Sequence, residues 1–369
     1  MGFLQIRYYQ FRNVADGVIP FDARQIFLVG ENGQGKTNIL ESFYSLCYGS
    51  TFRTSRDSLL IRSGAPECGL SGAAVTDDGG NLDVRLLIQG STKSIQVNGA
   101  PVQDRKDLIH NLPCIVFCHD DIEFVTGPPD RRRWFFNQTL SLYDELFIDV
   151  IRRYAKILKN RNVAVRDEDH DMLDVYDEQL ARTGMDVQVQ RMHAVERFSA
   201  TFEQLYHRIS GFDEPLRVEY RPSWKDIEST DVVVETLRER RGTDLSMGTT
   251  TSGPHRDRFR FAMGGRDFTE TASTGQLRLL SLILRVAQAR FFSDRAQRKP
   301  ILLLDDVMLE LDPTRRKRFF EALPEYDQAV FTFLPDEQYS LLSGYDTLLY
   351  RVEAGQVYGE SRSTSTGSV

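Results

Sequence analysis

The chain has 369 residues, of which 41% are hydrophobic and 27% are charged, a composition that excludes a disordered, collagen-like or disulfide-scaffold protein. The 46 Lys and Arg residues against 53 Asp and Glu residues leave a net charge of −7. Such a protein cannot bind nucleic acid through its bulk charge and would need a local basic patch. The length allows one large domain or two of ordinary size.

The sequence carries no signal for export or membrane insertion. The first residues lack a basic stretch followed by an apolar one, and no uninterrupted apolar run reaches the roughly 18 residues of a membrane span. The cysteines Cys47, Cys68, Cys114 and Cys118 indicate a reducing compartment. Cys114, Cys118 and His119 could begin a metal site, but no second Cys/His pair stands at zinc-like spacing, so we predict buried thiols. We expect a soluble, cytoplasmic protein.

The first 118 residues show strand patterns around one helical pattern. Apolar residues at helical spacing, from Ile39 to Cys47, follow a glycine-rich segment. The run 114–118 is apolar and predicts a buried strand. Further strand patterns cover residues 4–9, 25–29, 84–88 and 94–97, with Asn98-Gly99 as a hairpin turn. This part predicts an α/β fold with an antiparallel patch.

A block of amphipathic segments almost free of Gly and Pro begins near residue 130. It predicts antiparallel helices over residues 134–142, 146–165, 172–180 and 187–209, and it ends at Pro215 and Pro222. Strand patterns return at 258–263, before a Gly264-Gly265 turn, and at 301–304, with an apolar helix over 277–292 between them.

These patterns predict a split domain with an insertion. We assign residues 1–129 and 245–369 to the split α/β head, called lobe I, and residues 130–244 to an inserted, mostly helical subdomain, called lobe II. The segment 360–369 is rich in Ser, Thr and Gly and is predicted to be a disordered tail.

A phosphate-binding motif lies between the strand at 25–29 and the first helix. Glycines let backbone N–H groups cradle phosphates, and a helix N-terminus adds its dipole. We predict that Lys36 contacts the β- and γ-phosphates of ATP and that Thr37 ligates Mg²⁺. The motif G-x-x-x-x-G-K-[ST] is matched by Gly30, Glu31, Asn32, Gly33, Gln34, Gly35, Lys36 and Thr37, and Asn38 follows.

Paired carboxylates end the apolar strand at 301–304. Two acidic residues at the end of a buried strand repel each other and desolvate poorly, so a functional role is favoured. We predict a Walker B element in which Asp305 completes the Mg²⁺ shell and Asp306 orients the attacking water.

A third motif opens the apolar helix at 277–292. Ser273, Gly275 and Gln276 match S-x-G-Q, the ABC-type signature that contacts the γ-phosphate of a nucleotide held by a second subunit, although Ser273 is also a natural N-cap. Residues 310–312, ending in Asp312, stand where a D-loop would cross the dimer interface.

The order phosphate loop, helical insertion, signature and Walker B is that of an SMC-type ATPase head, and nearly the whole chain resembles the RecF family of bacterial recombination mediators. Further matches are Phe11-Arg12-Asn13, Phe52-Arg53-Thr54 and the segments 127–133, 158–162 and 253–257. The resemblance implies an ABC/SMC-type P-loop ATPase head with a mixed sheet, an antiparallel β patch and an inserted helical subdomain.

The sequence departs from related ATPases at three positions. Thr274 stands where RecF-like proteins usually carry Arg. No His follows Asp306, so the switch histidine of ABC transporters is missing and Thr332 is the nearest substitute. Asp306 stands where ABC transporters typically carry Glu, which has a longer side chain. The last two features predict slow hydrolysis that works as a switch. Its dependence on Mg²⁺ follows from the assigned ligands Thr37 and Asp305.

Basic clusters are candidates for contacts with DNA phosphates, which would read no sequence. Arg152, Lys156 and Lys159 follow helical spacing and form one stripe, flanked by Arg153 and Arg161. Two further clusters cover residues 131–133 and 315–318.

The resemblance implies an ATP-gated homodimer that binds double-stranded DNA and single-strand/duplex junctions. It also implies partnership with RecR and RecO, indirectly with RecA, in gap repair, replication restart and the SOS response. A P-loop kinase, an ABC-type ATPase not acting on DNA and a transporter subunit are the alternatives. A kinase has no use for the signature helix, and the long insertion argues against a transporter.

Overall fold

The computed structural model describes residues 1–54, 56–225, 229–307, 311–337, 339 and 346–363. The chain forms two compact units. Unit 1 comprises Met1–Asp120 and Phe292–Val369, and unit 2 comprises Asp121–Phe291.

A mostly parallel sheet forms the centre of unit 1. Its strands are β3 (Gln25–Val29), β8 (Cys114–Phe117), β12 (Ile301–Leu304), β13 (Gln328–Phe333), β14 (Thr347–Glu353) and β15 (Gln356–Ser363), in the order β15-β14-β3-β13-β12-β8. Strands β3, β13, β12 and β8 are parallel and almost wholly buried, which is why their sequences are apolar runs without alternation. The strands predicted at 25–29 and 301–304 are confirmed.

An antiparallel sheet forms the second layer of unit 1. Its strands are β1 (Gly2–Tyr9), β2 (Gly17–Pro20), β4 (Glu67–Val75), β5 (Asn81–Gln89), β6 (Thr92–Val97) and β7 (Ala100–Pro101), in the order β2-β1-β4-β5-β6-β7. Asn98 and Gly99 both have positive φ, 51° and 80°, as a two-residue hairpin turn requires. The predicted antiparallel patch is therefore present.

Helix α1 (Lys36–Tyr48) contacts both sheets of unit 1. Its Phe43 ring lies 5.3 Å from the Phe3 ring of β1. Its Tyr48 hydroxyl donates to the Cys114 carbonyl of β8 at 2.6 Å. Because both neighbours are buried, almost every side chain of α1 is buried as well. Two shorter helices, α2 (Lys106–Asn111) and α9 (Pro313–Ala322), also belong to this unit.

Helices dominate unit 2. They are α3 (Glu123–Thr126), α4 (Pro129–Ser141), α5 (Glu145–Arg166), α6 (His170–Ser210), α7 (Thr230–Met247) and α8 (Thr274–Ala296), the last of which extends beyond residue 291. Asp144 caps α5 and Asp169 caps α6, each accepting backbone N–H groups of the first turn. Sequence patterning did not predict α7.

Helix α6 corrects the prediction of two helices over 172–180 and 187–209. It runs unbroken for 41 residues through Gly184, where the sequence pattern weakens. A Cβ at Gly184 would lie 2.6 Å from the Trp224 ring. Gly184 is thus a packing position for Trp224, which is 3% exposed, and not a helix end.

A small sheet places the boundary of unit 2 beyond residue 244. Strand β10 (Arg258–Met263) pairs with β9 (Leu216–Arg221) and with β11 (Arg266–Asp267). The Phe259 ring of β10 stacks on Phe136 of α4 at 4.2 Å. These contacts draw residues 245–291 into unit 2. The predicted boundaries of 130–244 therefore differ from the observed Asp121–Phe291.

The predicted disordered tail is wrong in part. Residues 360–363 belong to β15, whose backbone pairs antiparallel with β14 as far as Thr347 and Ser363. Residues 364–369 lie outside the described part of the chain. Across the described residues, we find no helix with the length and apolar character that a membrane span demands.

Candidate nucleotide site

The phosphate-loop motif lies where the geometry of a parallel sheet favours ligand binding. It connects the carboxyl end of β3 to the N-terminus of α1, the edge at which open α/β sheets bind ligands. Gly33 and Gly35 have φ of 78° and 114°, which a residue with a side chain would adopt only with strain. A Cβ at Gly35 would also lie 2.9 Å from the Asn13 Oδ1 atom.

Lys36 is held inside the loop. Its Nζ donates to the Gly30 carbonyl at 2.6 Å and to the Glu31 carbonyl at 3.2 Å, and the residue is 3% exposed. Both of these contacts are to neutral carbonyls, which an ammonium group can exchange for phosphate oxygens.

The tertiary fold brings the Walker B carboxylates to this loop. The Thr37 hydroxyl donates to Asp305 Oδ1 at 2.9 Å, across 268 residues of sequence. A cavity of about 200 Å³ lies at the loop. Its lining is Glu31, Asn32, Gly33, Gly35, Lys36, Thr37, Asn38, Arg53 and Asp306. Of the predicted loop residues, Gln34 points elsewhere, because its Oε1 accepts the Ala354 backbone N–H at 2.6 Å.

The two carboxylates influence each other. Burial, followed by the negative charge of Asp306, raises the pKa of Asp305 to about 6, against the lowering effect of hydrogen bonds from Thr37 and Thr332. A nearby cation would favour the charged form of Asp305.

Arg53 is a site residue to which sequence reasoning assigned no contact with the nucleotide. It lines the cavity, and its Nη1 donates to Asn38 Oδ1 at 2.9 Å. Glu41, which is fully buried, lies 3.8 Å from Arg53 and binds Arg12 through two hydrogen bonds of 3.0 Å. The sequence signal for Arg53 was its place in Phe52-Arg53-Thr54, one of the segments that resemble the RecF family.

Ser273 and Gln276 form a capping box at the start of α8. The Ser273 N–H donates to Gln276 Oε1 at 2.8 Å, and the Gln276 N–H donates to Ser273 Oγ at 3.3 Å. Ser273, Thr274 and Gly275 are exposed. These residues lie in unit 2, and the cavity lies in unit 1.

Asp312, the predicted D-loop residue, is an N-cap. It accepts the Arg315 backbone N–H at 3.0 Å at the start of α9, and its side chain is 47% exposed. Glu310 lies outside the described residues.

Comparisons with known proteins place the chain in a family. The family model "RecF/RecN/SMC N terminal domain" matches residues 3–345. The chain is 39% identical to the DNA replication and repair protein RecF of Treponema pallidum over 94% of this chain and 97% of that protein. It is 34% identical to the RecF protein of Symbiobacterium thermophilum over 96% and 97%. The chain belongs to the RecF family.

Solved structures agree with this assignment. A structure of the recombination mediator RecF with ATP in the RecFOR pathway is 26% identical, with a TM-score of 0.87 over 98% of both chains. An Smc head bound to the winged-helix domain of ScpA is 17% identical, with a TM-score of 0.59 over 97% of both chains, and it shows the fold alone. The predicted fold class, an ABC/SMC-type ATPase head with a helical insertion, is confirmed.

The predicted basic stripe lies on helix α5. Arg152, Lys156 and Lys159 are exposed, and Arg152 lies 4.0 Å from Asp149. Lys156 and Arg153 also line a groove of about 500 Å³ between α5 and α6, to which Arg182 of α6 contributes. The groove carries Glu178 and Asp186 as well.

Two other basic candidates have structural roles. Arg161 is fully buried, so its prediction as a flank of the DNA stripe is wrong. In the cluster 131–133, Arg132 donates to the Phe259 and Val125 carbonyls, and Arg133 donates to the Asp257 carbonyl. These guanidinium groups hold α4 to β10 because they bind backbone carbonyls of that strand and of the residue before it.

The segments 158–162 and 253–257, which carry part of the resemblance to the RecF family, meet in unit 2. Arg161 donates to Asp177 and Asp244 at 2.7 Å and to the Thr250 hydroxyl at 2.8 Å. His255 Nε2 lies 3.0 Å from the Thr250 carbonyl. The polar side chains of both segments therefore belong to one partly buried network.

His255 is neutral within this network. A carbonyl can only accept, so Nε2 carries the proton, and Nδ1 accepts from the Tyr154 hydroxyl at 2.7 Å. Burial, with help from the charges of Arg256 and Arg133, lowers the pKa of His255 to about 4.

Proposed function

We propose that this RecF-family protein binds ATP in the cavity at the phosphate loop and uses it to control DNA binding. One observation carries the proposal: the Thr37 hydroxyl and the Asp305 carboxylate meet at 2.9 Å, and Lys36, Arg53 and Asp306 line the same cavity. RecF structures have been solved with ATP and with ATPrS, which supports ATP as the nucleotide.

The residues present fit Mg²⁺. Thr37 and Asp305 offer hard oxygen ligands, and Mg²⁺ takes few protein ligands in nucleotide sites because phosphates and water supply the others. Bound there, the metal ion would neutralise charge on the β- and γ-phosphates. Thr37 and Asp305 are the ligands that we assign.

Hydrolysis in this proposal depends on Asp306. Its carboxylate orients a water molecule whose oxygen bonds to the γ-phosphorus while the bond to the β–γ bridging oxygen breaks, and ADP leaves with that electron pair. The water proton passes to the Asp306 carboxylate and then to solvent. Lys36 and Arg53 stabilise the charge on the phosphates. A short carboxylate and the missing switch histidine support slow turnover, so ATP serves as a switch.

We propose that ATP joins two copies of the chain. Ser273, Gly275 and Gln276 of one copy, with Asp312 near the interface, would meet the nucleotide of the other. The exposed N-terminal end of α8 suits a γ-phosphate, because a helix N-terminus carries the positive end of the helix dipole. The capping box supports this role because it fixes the Ser273 hydroxyl at the helix end.

The proposed ligand of the dimer is double-stranded DNA, including junctions with single strands. The α5 stripe of Arg152, Lys156 and Lys159 would contact phosphates without reading sequence. In this proposal the protein acts in the cytoplasm with RecO and RecR, which load RecA in gap repair, replication restart and the SOS response. The relatives' description as members of the RecFOR pathway supports these partners.

Two variants test the nucleotide step. Lys36→Ala should weaken ATP binding by about 100-fold, because it removes a charged contact to two phosphates. Ser273→Arg should bind ATP normally but remain a monomer. Fluorescent-nucleotide titration and light scattering with ATP or ADP measure both effects. Unchanged ATP affinity in Lys36→Ala would refute the assignment of the cavity as the ATP site. Normal ATP-dependent dimerisation of Ser273→Arg would refute the proposed contact between Ser273 and the nucleotide of the other copy.

A further inference from the structure

Thr332 occupies a special position in the parallel sheet of unit 1. Strand β13 lies between β12 and β3, with Leu304 opposite Phe331 and Thr332 opposite Leu28. Because β13 continues beyond the end of β12, Thr332 stands beside the two carboxylates that follow β12. The residue is 2% exposed.

One hydroxyl group therefore meets both carboxylates. Thr332 Oγ1 lies 2.8 Å from Asp306 Oδ1 and 3.2 Å from Asp305 Oδ1. A hydroxyl carries one proton, so it donates to one of them at a time, and the shorter distance favours Asp306. Asp305 Oδ1 already accepts the Thr37 hydroxyl.

The same oxygen also holds the backbone of Asp306. The Asp306 N–H donates to Thr332 Oγ1 at 2.7 Å. Asp306 has a φ of 50°, a left-handed conformation that is uncommon for residues other than glycine. Thr332 thus fixes both the backbone and the side chain of Asp306.

We infer that Thr332 is a positioning residue for ATP hydrolysis, acting by aiming the Asp306 carboxylate into the nucleotide cavity. Asp306 lines that cavity, and Thr332 is not among the residues that line it. Thr332 therefore acts through Asp306, unlike a switch histidine that would touch the γ-phosphate itself. This inference rests on the proposed function, since it assigns how the proposed general base is held.

The test separates orientation from binding. Thr332→Val keeps the shape and the β-branching of the side chain but removes the hydroxyl. We expect kcat for ATP hydrolysis to fall by about 10- to 100-fold, because small misplacements of a catalytic group have effects of that size. We expect KM for ATP to change by less than about threefold, because Thr332 does not line the cavity and the Thr37 hydroxyl still donates to Asp305 Oδ1 in the variant. Thr332→Ser should restore kcat to within about threefold of the parent.

Several outcomes would overturn the inference. They are an unchanged kcat in Thr332→Val, a raised KM with unchanged kcat, or equal losses in the Val and Ser variants. Thermal unfolding of each variant checks that the sheet is intact, and Thr332→Ala replaces the Val variant if the latter does not fold. Lys36→Ala is the background control. A parent that shows no hydrolysis above this control refutes the proposed function itself, whereas a difference confined to the Thr332 variants concerns only the inference.

Discussion

His255 is a titratable side chain that folding keeps neutral. Its pKa in the folded protein is about 4, below the ordinary value of about 6.5. Between these two pH values the unfolded chain binds more protons than the folded one. The contribution of His255 to the free energy of unfolding is therefore complete above about pH 6.5 and is lost as the pH falls towards 4.

We predict a corresponding pH dependence of unfolding. Lowering the pH from 7 to 4.5 should reduce the free energy of unfolding by about 2 kcal/mol through His255. His255→Asn, which cannot titrate, should be less stable at pH 7 and should lose less on acidification. Urea unfolding of both proteins at the two pH values measures the difference. Parallel losses in parent and variant would mean that His255 is protonated in the folded protein or does not contribute.

Asp306 shows a different kind of constraint at the same scale. Its positive φ was not expected from an acidic residue after an apolar strand. The conformation follows from Thr332, which binds its N–H and its carboxylate. A single residue in strand β13 thus determines the geometry of a motif that the sequence presents as self-contained.

Helices α5, α6 and α7 are joined through one buried guanidinium group. Arg161 of α5 pairs with Asp177 of α6 and Asp244 of α7, and all three side chains are at most 1% exposed. Arg241 of α7 adds a second contact to Asp177 at 2.6 Å. Such a network stabilises mainly by preventing unpaired buried charges.

Arg161→Leu should therefore destabilise unit 2 strongly. We expect a loss of about 3–5 kcal/mol, because Asp244 loses its ion pair with Arg161 and Asp177 keeps only the ion pair with Arg241. Lys159→Leu on the same helix is the matched control and should change stability by less than about 0.5 kcal/mol, because Lys159 is exposed. Chemical denaturation monitored by circular dichroism gives both values. A loss below about 1 kcal/mol in Arg161→Leu would show that Asp177 and Asp244 find other partners.

The whole molecule has a net charge of −7, so the proposed attraction to DNA would have to be local. The Debye length is about 8 Å at physiological salt, which screens distant acidic residues from a phosphate at the α5 stripe. Two copies joined by ATP would present two such stripes to one duplex. The proposed dimer would then bind DNA more tightly and with a steeper salt dependence than the monomer.

We predict that Arg152→Glu with Lys156→Glu weakens duplex binding equally for all sequences. Each lost phosphate contact should reduce the slope of log affinity against log salt by about 0.9, and ATP binding should not change. Arg238→Glu with Arg240→Glu on α7 is a control with the same change in net charge. Fluorescence anisotropy at several salt concentrations measures the slopes. Equal effects of the two double variants would attribute the loss to overall charge and place the DNA elsewhere.

The sequence by itself determined the parts whose signals are local. Strands β3 and β12 are buried on both sides and appear as apolar runs with their observed boundaries. The phosphate loop requires glycines, a lysine and a threonine at fixed spacing. Gly33, Gly35, Lys36 and Thr37 could therefore be assigned from their order along the chain alone.

The tertiary structure decided everything that depends on residues far apart in the chain. It made Arg161 a core residue, because carboxylates from two other helices surround it. It made Gly184 a packing position inside the continuous helix α6, because a side chain there would clash with the Trp224 ring. It brought Arg53 and Thr332 to the site through the end of α1 and the middle strand of a parallel sheet. Periodicity and motifs describe neighbours along the chain, whereas burial and electrostatic partners are properties of neighbours in space.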